Sequence, residues 1–323
     1  MVIGTALCCN LLIKVRQNGS LWMRINKATL PLAHALRQIG KRVRLRGWER
    51  LLRTLFHPDR QHHVDFKIPF FGFTYPGYAD NYIDWNVLFY GCYERFELTL
   101  LAALADRIEG AVFLDIGANV GHHALFMTGH AEQIHAFEPN PASWPLIQKK
   151  ITVNGVQNII LHRCGLGITS GKSLLYLGPE SGESSLIPGT NRTSFLDSVL
   201  VSIVRGDFFF REAGVNRIDV IKLDVEGFEK HALTGMSQHL DKWRPIIMIE
   251  ISETGKEQFG DFPTFSKTFP ANYEFYFCHW LSGVIIRMEL RPANKTVYSR
   301  FSGNVFCIPH EKRELFLEVA DIS

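Results

Sequence analysis

The sequence predicts a doubly wound α/β fold: a mostly parallel sheet with helices on both faces. Three observations carry this. Short apolar runs alternate with helix-patterned segments from residue 94 onward. The first run ends in an acid and passes into a glycine-bounded bend. The next run ends in a second acid, Glu138, 23 residues after Asp115. Strand–helix alternation of this kind gives right-handed crossovers and parallel pairing.

The elements follow in order. Phe96–Ile108 reads as an apolar helix with an acidic start. Ala111–Ile116 (AVFLDI) is a buried strand that runs into Gly117-Ala-Asn-Val-Gly121, and a helix opens at His122. Ile134–Glu138 (IHAFE) is a second strand, stopped by Pro139 and Pro141, with Trp144, Ile147 and Ile151 marking the next helix. Ile159–His162 begins a third strand and Ile218–Asp224 (IDVIKLD) a fourth, followed by a helix over Phe228–Leu233 with Gly235 near its end. Pro245–Ile251 is the fifth. Tyr273–Cys278, Val284–Leu290 and Val305–Ile308 are tail strands that finish the sheet with an antiparallel pair.

Composition bounds the function. With 323 residues, 46% apolar and 21% charged, the chain has ample material for a packed core. It is neither disordered nor disulfide-stapled, since Cys8, Cys9, Cys92, Cys164, Cys278 and Cys307 are scattered without a C-x-x-C pair. No apolar run is long enough for a membrane span. Met1–Ile13 is apolar but lacks the basic start and small-residue cleavage site of a secretory signal, so a cytoplasmic location is expected, with the N-x-S/T triplets at Asn18, Asn191 and Asn294 as chance matches.

The net charge of +3 hides an uneven distribution: residues 14–60 hold 12 Lys and Arg against Glu49 and Asp59, a balance of +10. Apolar residues recur at helical spacing from Ala28 to Leu55, broken near Gly47, which predicts one or two basic amphipathic helices. They suit a solvated face or a peripheral contact with anionic lipid or a lipid-linked acceptor at the inner membrane face. No nucleic-acid-binding motif accompanies the charge, so no nucleic-acid partner is expected. Phe66–Tyr93 then carries 11 aromatics in 28 residues, read as short strands and a turn or helix that cover the main domain or shape an acceptor pocket. Residues 1–92 thus form an N-terminal helical and aromatic segment, and 93–323 the nucleotide-binding domain.

The informative constellation is LDIGANVG, Leu114 to Gly121, with FEPNP, Phe137 to Pro141. Gly117 and Gly121 let bare backbone approach a ligand. Glu138, at the end of the second strand, is placed to accept hydrogen bonds from ribose hydroxyls. A dinucleotide site favours G-x-G-x-x-G, but this bend lacks the middle glycine and follows Asp115. That carboxylate would repel a pyrophosphate, whereas it suits the cationic amino-acid end of S-adenosylmethionine. An NAD-type oxidoreductase and a non-catalytic binding protein are the rival classes.

LDIGANVG, AFEPNP, IDVIKLDVEGFEKHALTGM and IIMIEI together resemble the FkbM-type S-adenosylmethionine-dependent methyltransferases in order and spacing, over roughly residues 91–251. GCYERFELTLL is similar to that family's helix before the first strand, whose start lies over the cofactor. The resemblance implies a class I, Rossmann-like sheet of seven strands, the last antiparallel, and O-methylation of a sugar, glycan or polyketide-like small molecule. It implies cofactor contacts from Glu94, Asp115, Gly117, Ala118, Asn119, Gly121 and Glu138. Cys164, after the third strand, stands where such folds meet the adenine. His122-His123 replaces a more usual aromatic pair, and Ser184 and Ser185 lie in a polar loop over cofactor or acceptor.

Reactions in open α/β sheets occur outside the carboxyl ends of the strands. Asp224 and Glu250 end the fourth and fifth strands, and Glu226 follows closely. Asp224 and Glu226 are the candidate catalytic residues. Asp224 could instead cap the following helix, or both could join Glu250 as ligands of Mg²⁺, to which no residue is otherwise assigned. His231 and His279 are alternative bases. Lys222 alternates with apolar neighbours, so its stem packs while its head finds a carboxylate.

Overall fold

The computed structural model describes residues 13–15, 21–26, 29–42, 47–58, 61, 63–178, 184–188, 197–281 and 287–320. Most of Met1–Ile13, with Cys8, Cys9, Asn18 and Asn191, lies outside them. The chain divides into two compact units, residues 1–93 with 280–287 and residues 94–279 with 288–323.

The first unit pairs β1 (Ile13–Val15) with β2 (Leu21–Met23), followed by α1 (Leu30–Gly40) and α2 (Trp48–Phe56). Asn26 and Thr29 exchange side-chain-to-backbone hydrogen bonds of 2.9 and 3.1 Å ahead of α1, which fixes the start of the helix. β3 (Asp65–Phe70) and β4 (Phe73–Tyr78) form a hairpin closed by Phe71 and Gly72, both at positive φ as a two-residue twisted turn requires. α3 (Tyr82–Tyr90) follows, capped by Asn81. The aromatic excess is largely core: Trp85, Tyr75, Phe56, Phe70 and Phe89 are fully buried. Their polar groups are satisfied, the Trp85 indole donating to the Phe56 carbonyl and the Tyr75 hydroxyl to Asp84, both at 2.7 Å.

The second unit begins with α4 (Arg95–Ala105), β5 (Val112–Ile116), α5 (His122–Met127), β6 (Gln133–Phe137), α6 (Trp144–Asn154) and β7 (Ile159–His162). A smaller group follows: β8 (Gly165–Gly167), β9 (Gly171–Leu177), β10 (Asp197–Arg205) and α7 (Gly206–Glu212). Then come β11 (Val220–Leu223), α8 (Glu229–Gly235), α9 (Ser237–Trp243), β12 (Ile246–Ile251), α10 (Glu253–Phe259) and α11 (Phe262–Ser266). β13 (Tyr273–Leu281), β14 (Arg287–Pro292), α12 (Lys295–Tyr298), β15 (Gly303–Pro309) and α13 (Arg313–Ala320) complete the chain.

The main sheet runs β14-β13-β15-β12-β11-β5-β6-β7. β7, β6, β5, β11 and β12 are mutually parallel, and β15 is antiparallel to both neighbours, β12 and β13. The expected Rossmann-like architecture is therefore present, with the last strand reversed. It has eight strands instead of seven: β14 is added at the edge, where its residues from Glu289 on are half-buried or exposed. β15 inserts between β12 and β13 and is antiparallel to both, so the tail closes the sheet with antiparallel pairing as expected. β5 and β11 are buried on both faces, which explains their unbroken apolar runs.

The sequence reading also missed a separate three-stranded sheet, ordered β8-β10-β9. Val199, Val201 and Ile203 alternate as a strand should, but Leu174 and Leu200, directly paired, face outward and blur the pattern. The four described cysteines, Cys92, Cys164, Cys278 and Cys307, are buried. Among the described residues no helix is long and apolar enough to cross a membrane.

Candidate functional site

The glycine-bounded bend after β5 is stitched to its neighbours. The N–H groups of Gly117 and Ala118 both donate to the Phe137 carbonyl at 3.0 Å. Gly117 has φ +83°, and a Cβ there would lie 1.8 Å from the Asp224 carbonyl oxygen, so only glycine fits. Gly121, at φ +77°, brings the start of α5 against Ile147 of α6. Asn119 is also left-handed, at φ +48°.

Glu138 braces this bend. Its Oε2 accepts the Asn119 N–H and its Oε1 the Asn140 N–H, both at 2.7 Å. Burial pushes its carboxyl up to about 7, while those two N–H groups pull it back. Each oxygen retains a second lone pair for a further donor.

Asp115 and Lys222 are register partners on β5 and β11. The Lys222 ammonium lies 3.8 Å from Asp115 Oδ1 and 3.2 Å from Asp224 Oδ2, and donates to the Gly117 carbonyl at 2.9 Å. The Lys222 head thus finds carboxylates as its position in the strand suggested. Asp115 is fully buried, and no hydrogen bond of normal length reaches either carboxylate oxygen. Burial pushes it up to about 6, opposed by Lys222. A buried carboxylate short of close hydrogen-bond donors is costly, so the site fits a ligand that brings a cationic donor.

Further carboxylates converge on the same rim. Asp224, Glu226 and Glu250 each place an oxygen within 4.8 Å of the other two. Glu250 is held well above the usual carboxylate range, first by the Asp224 charge and then by burial. It pairs across the sheet with Asn304, whose amide donates to Glu94 at 2.8 Å. Glu94, at the start of α4, is raised to about 8 by burial and by the neighbouring Glu97 and Asp224. Lys222 is a cation that Asp115, Asp224 and Glu94 share, and the acids outnumber it, so the rim favours a cationic ligand.

The histidine pair behaves differently from a base. His122 and His123 are buried and edge-on at 5.1 Å. Burial lowers both, His122 to about 3, so they pack as neutral rings in place of an aromatic pair. His231 stacks on Phe228 at 4.3 Å. The Cys164 thiol is buried and raised to about 11, which suits a small space-filler.

The loop after β11 corrects one expectation and adds a residue. Asp224 does not cap the following helix; α8 begins at Glu229 after Phe228, without a side-chain cap. Glu229 reaches back instead, accepting the N–H groups of Val225 at 3.1 Å and Gly227 at 3.0 Å. Glu226 and Gly227 are both at positive φ, 53° and 99°, which bends the loop sharply. The Ser185 hydroxyl donates to the Glu226 carbonyl at 2.6 Å, tying the polar loop to it. Glu229 was legible only as an acid near a helix start; nothing in the spacing showed that it would serve the backbone preceding it.

Residues 115–275 match the family described as the methyltransferase FkbM domain. Methyltransferase 1 of Beauveria bassiana is 27% identical over 177 residues, covering 48% of this chain and 69% of that protein. Hexuronic acid methyltransferase AglP of Haloferax volcanii is 30% identical over 148 residues, covering 45% of this chain and 58% of its own. A crystal structure of methyltransferase FkbM from Methylobacillus flagellatus aligns with TM-score 0.40 at 17% identity, over 62% of this chain and 44% of that one. The chain thus spans less than two thirds of the length of AglP and of that crystal structure. With its glycine-bounded bend, acidic rim and matched residues, the chain belongs to the FkbM methyltransferase family.

Proposed function

We propose that the chain is an S-adenosylmethionine-dependent methyltransferase acting on a hydroxyl of a sugar, glycan or related small molecule. The observation that carries this is Asp115: a fully buried carboxylate whose paired cation, Lys222, stands 3.8 Å away, beside a bend that only glycine can form. Asp115 would hold the ammonium of the cofactor, Glu138 the ribose hydroxyls, and the backbone from Gly117 to Gly121 the approach between them, with Glu94 and Cys164 as further contacts. The cofactor supplies an electrophilic methyl group when bound.

The chain's own task is then to align a hydroxyl and take its proton. Asp224 is our candidate acceptor of that proton. Lys222 fixes its carboxylate at 3.2 Å, and Glu250, whose carboxyl the Asp224 charge and burial hold well above its usual range, lies beside it. Glu226, on the same bent loop, would orient the acceptor. Asp224, Glu226 and Glu250 also have the spacing to hold Mg²⁺, the one alternative that their convergence supports. A hexuronic acid is what the AglP name specifies, and uronic acids are therefore the first acceptors to try.

The test is calorimetry with S-adenosylmethionine and NAD, followed by turnover on a panel of sugars and uronic acids read by mass spectrometry. S-adenosylmethionine should bind and Asp115→Asn should weaken it; binding of NAD alone would refute the reading. Asp224→Asn should lower kcat by about 10²–10⁴-fold with cofactor affinity retained. Full turnover in EDTA is expected, and loss restored by Mg²⁺ would establish the metal instead.

A further inference from the structure

α1 is turned in an unusual way. It packs through Ala33, Arg37 and Gly40, all buried, and its larger apolar side chains point elsewhere. A Cβ on Gly40 would lie 2.3 Å from the Phe89 carbonyl oxygen, so the helix lies hard against α3 on that side. Arg37 locks it there, donating to the Val87 and Pro69 carbonyls at 3.4 and 2.8 Å. Leu32, Ala35, Leu36 and Ile39 recur at helical spacing on a flanking stripe, on which Leu36 is half-buried and the others exposed. Leu32 is 43% and Ile39 48% exposed.

The Arg37 bond to Pro69 also places the β3–β4 hairpin beside α1. The tip of that hairpin is Phe71, 45% exposed although φ +45° costs a bulky residue strain. A glycine or asparagine would serve that turn better; the ring packs edge-on against Phe70 at 5.0 Å and remains 45% exposed. Lys41 and Arg42 follow the helix directly and Lys67 stands on the outer face of β3, all exposed. In sequence, residues 1–48 contain nine Lys and Arg and no Asp or Glu.

We propose that the α1 stripe and the Phe71 tip form a docking surface for an anionic lipid bilayer. Apolar side chains at a basic rim insert at the headgroup boundary while the cations meet anionic headgroups. The same charge disfavours the obvious rival, a second copy of this chain, because two such faces would set like charges against each other. The inference does not depend on the methyltransferase reading.

The test uses the full chain and sedimentation with vesicles. Phosphatidylcholine vesicles containing phosphatidylglycerol should bind it, and pure phosphatidylcholine at least about tenfold more weakly, with the difference shrinking in high salt. Ile39→Asp and Phe71→Asn should each abolish binding; both positions are exposed, and asparagine keeps the left-handed turn. Lys41→Glu with Arg42→Glu should do so without touching the apolar stripe, and unchanged circular dichroism confirms that each variant folds. Absent binding to anionic vesicles, equal binding to neutral ones, or binding unaffected by these substitutions would overturn the proposal. So would a dimer in light scattering that Ile39→Asp dissociates, since it would assign the face to a second copy.

Discussion

The Lys222 ammonium stands between two carboxylates, 3.2 Å from Asp224 and 3.8 Å from Asp115. It is the counter-charge for both, and its strand neighbours are apolar. Lys222→Met should destabilise the protein by about 3–5 kcal/mol, because it leaves the buried Asp115 and the half-buried Asp224 uncompensated. Chemical denaturation checks this. Adding Asp115→Asn to Lys222→Met should recover part of the loss, and failure to do so would show that packing of the lysine stem dominates.

Glu138 joins the bend after β5 to the loop after β6 through two charge-assisted bonds of 2.7 Å. Glu138→Ala should weaken S-adenosylmethionine binding by roughly 1–3 kcal/mol. Glu138→Gln keeps one acceptor oxygen and should fall between. Unchanged calorimetric affinity in the alanine variant would remove Glu138 from the cofactor site.

Two left-handed glycines give a matched comparison. Gly155 has open space around its would-be Cβ, whereas that of Gly117 meets the Asp224 carbonyl at 1.8 Å. Gly155→Ala should cost about 1 kcal/mol from backbone strain alone. Gly117→Ala should abolish soluble, folded protein or displace β11. Similar thermal midpoints for the two would contradict the close approach.

Stability should fall as pH rises above about 6.5. Glu94 moves from 4.5 to about 8 on folding, Glu138 and Glu229 to about 7, and Asp115 to about 6 from 3.8. In each case the folded state holds the proton more tightly than the unfolded chain. This stabilisation is complete below about pH 4 and is lost as pH climbs through the folded values. Buried His122 and His123 and half-buried His162, all lowered, act in the opposite sense below about pH 6.5. Melting without ligand should therefore weaken between about pH 6.5 and 8, and Glu94→Gln should flatten the decline. A cationic cofactor favours the ionised acids, so its stabilising effect should grow over the same window.

Much of this was legible in the sequence, for definite reasons. β5, β6, β11 and β12 are buried on both faces, so their apolar runs could be read without periodicity. Asp115, Gly117 and Glu138 lie at strand ends, where topology fixes position. Residues whose role depends on long-range contact were harder to place. Glu229 serves backbone groups that precede it, and Asn304 reaches Glu94 across 210 positions. The β8-β10-β9 sheet was hidden because Leu174 and Leu200 put apolar side chains on its outer face.

The contact between Gly117 and the Asp224 carbonyl has a mechanical corollary. On the proposed reading, the peptide offered to the nucleoside and the one that carries the proposed proton acceptor, Asp224, touch without any side chain between them, and Lys222 contacts both. Neither can shift alone. Loading the donor substrate would then set the position of the acid before the second substrate arrives, which favours an ordered sequence of arrival over a random one.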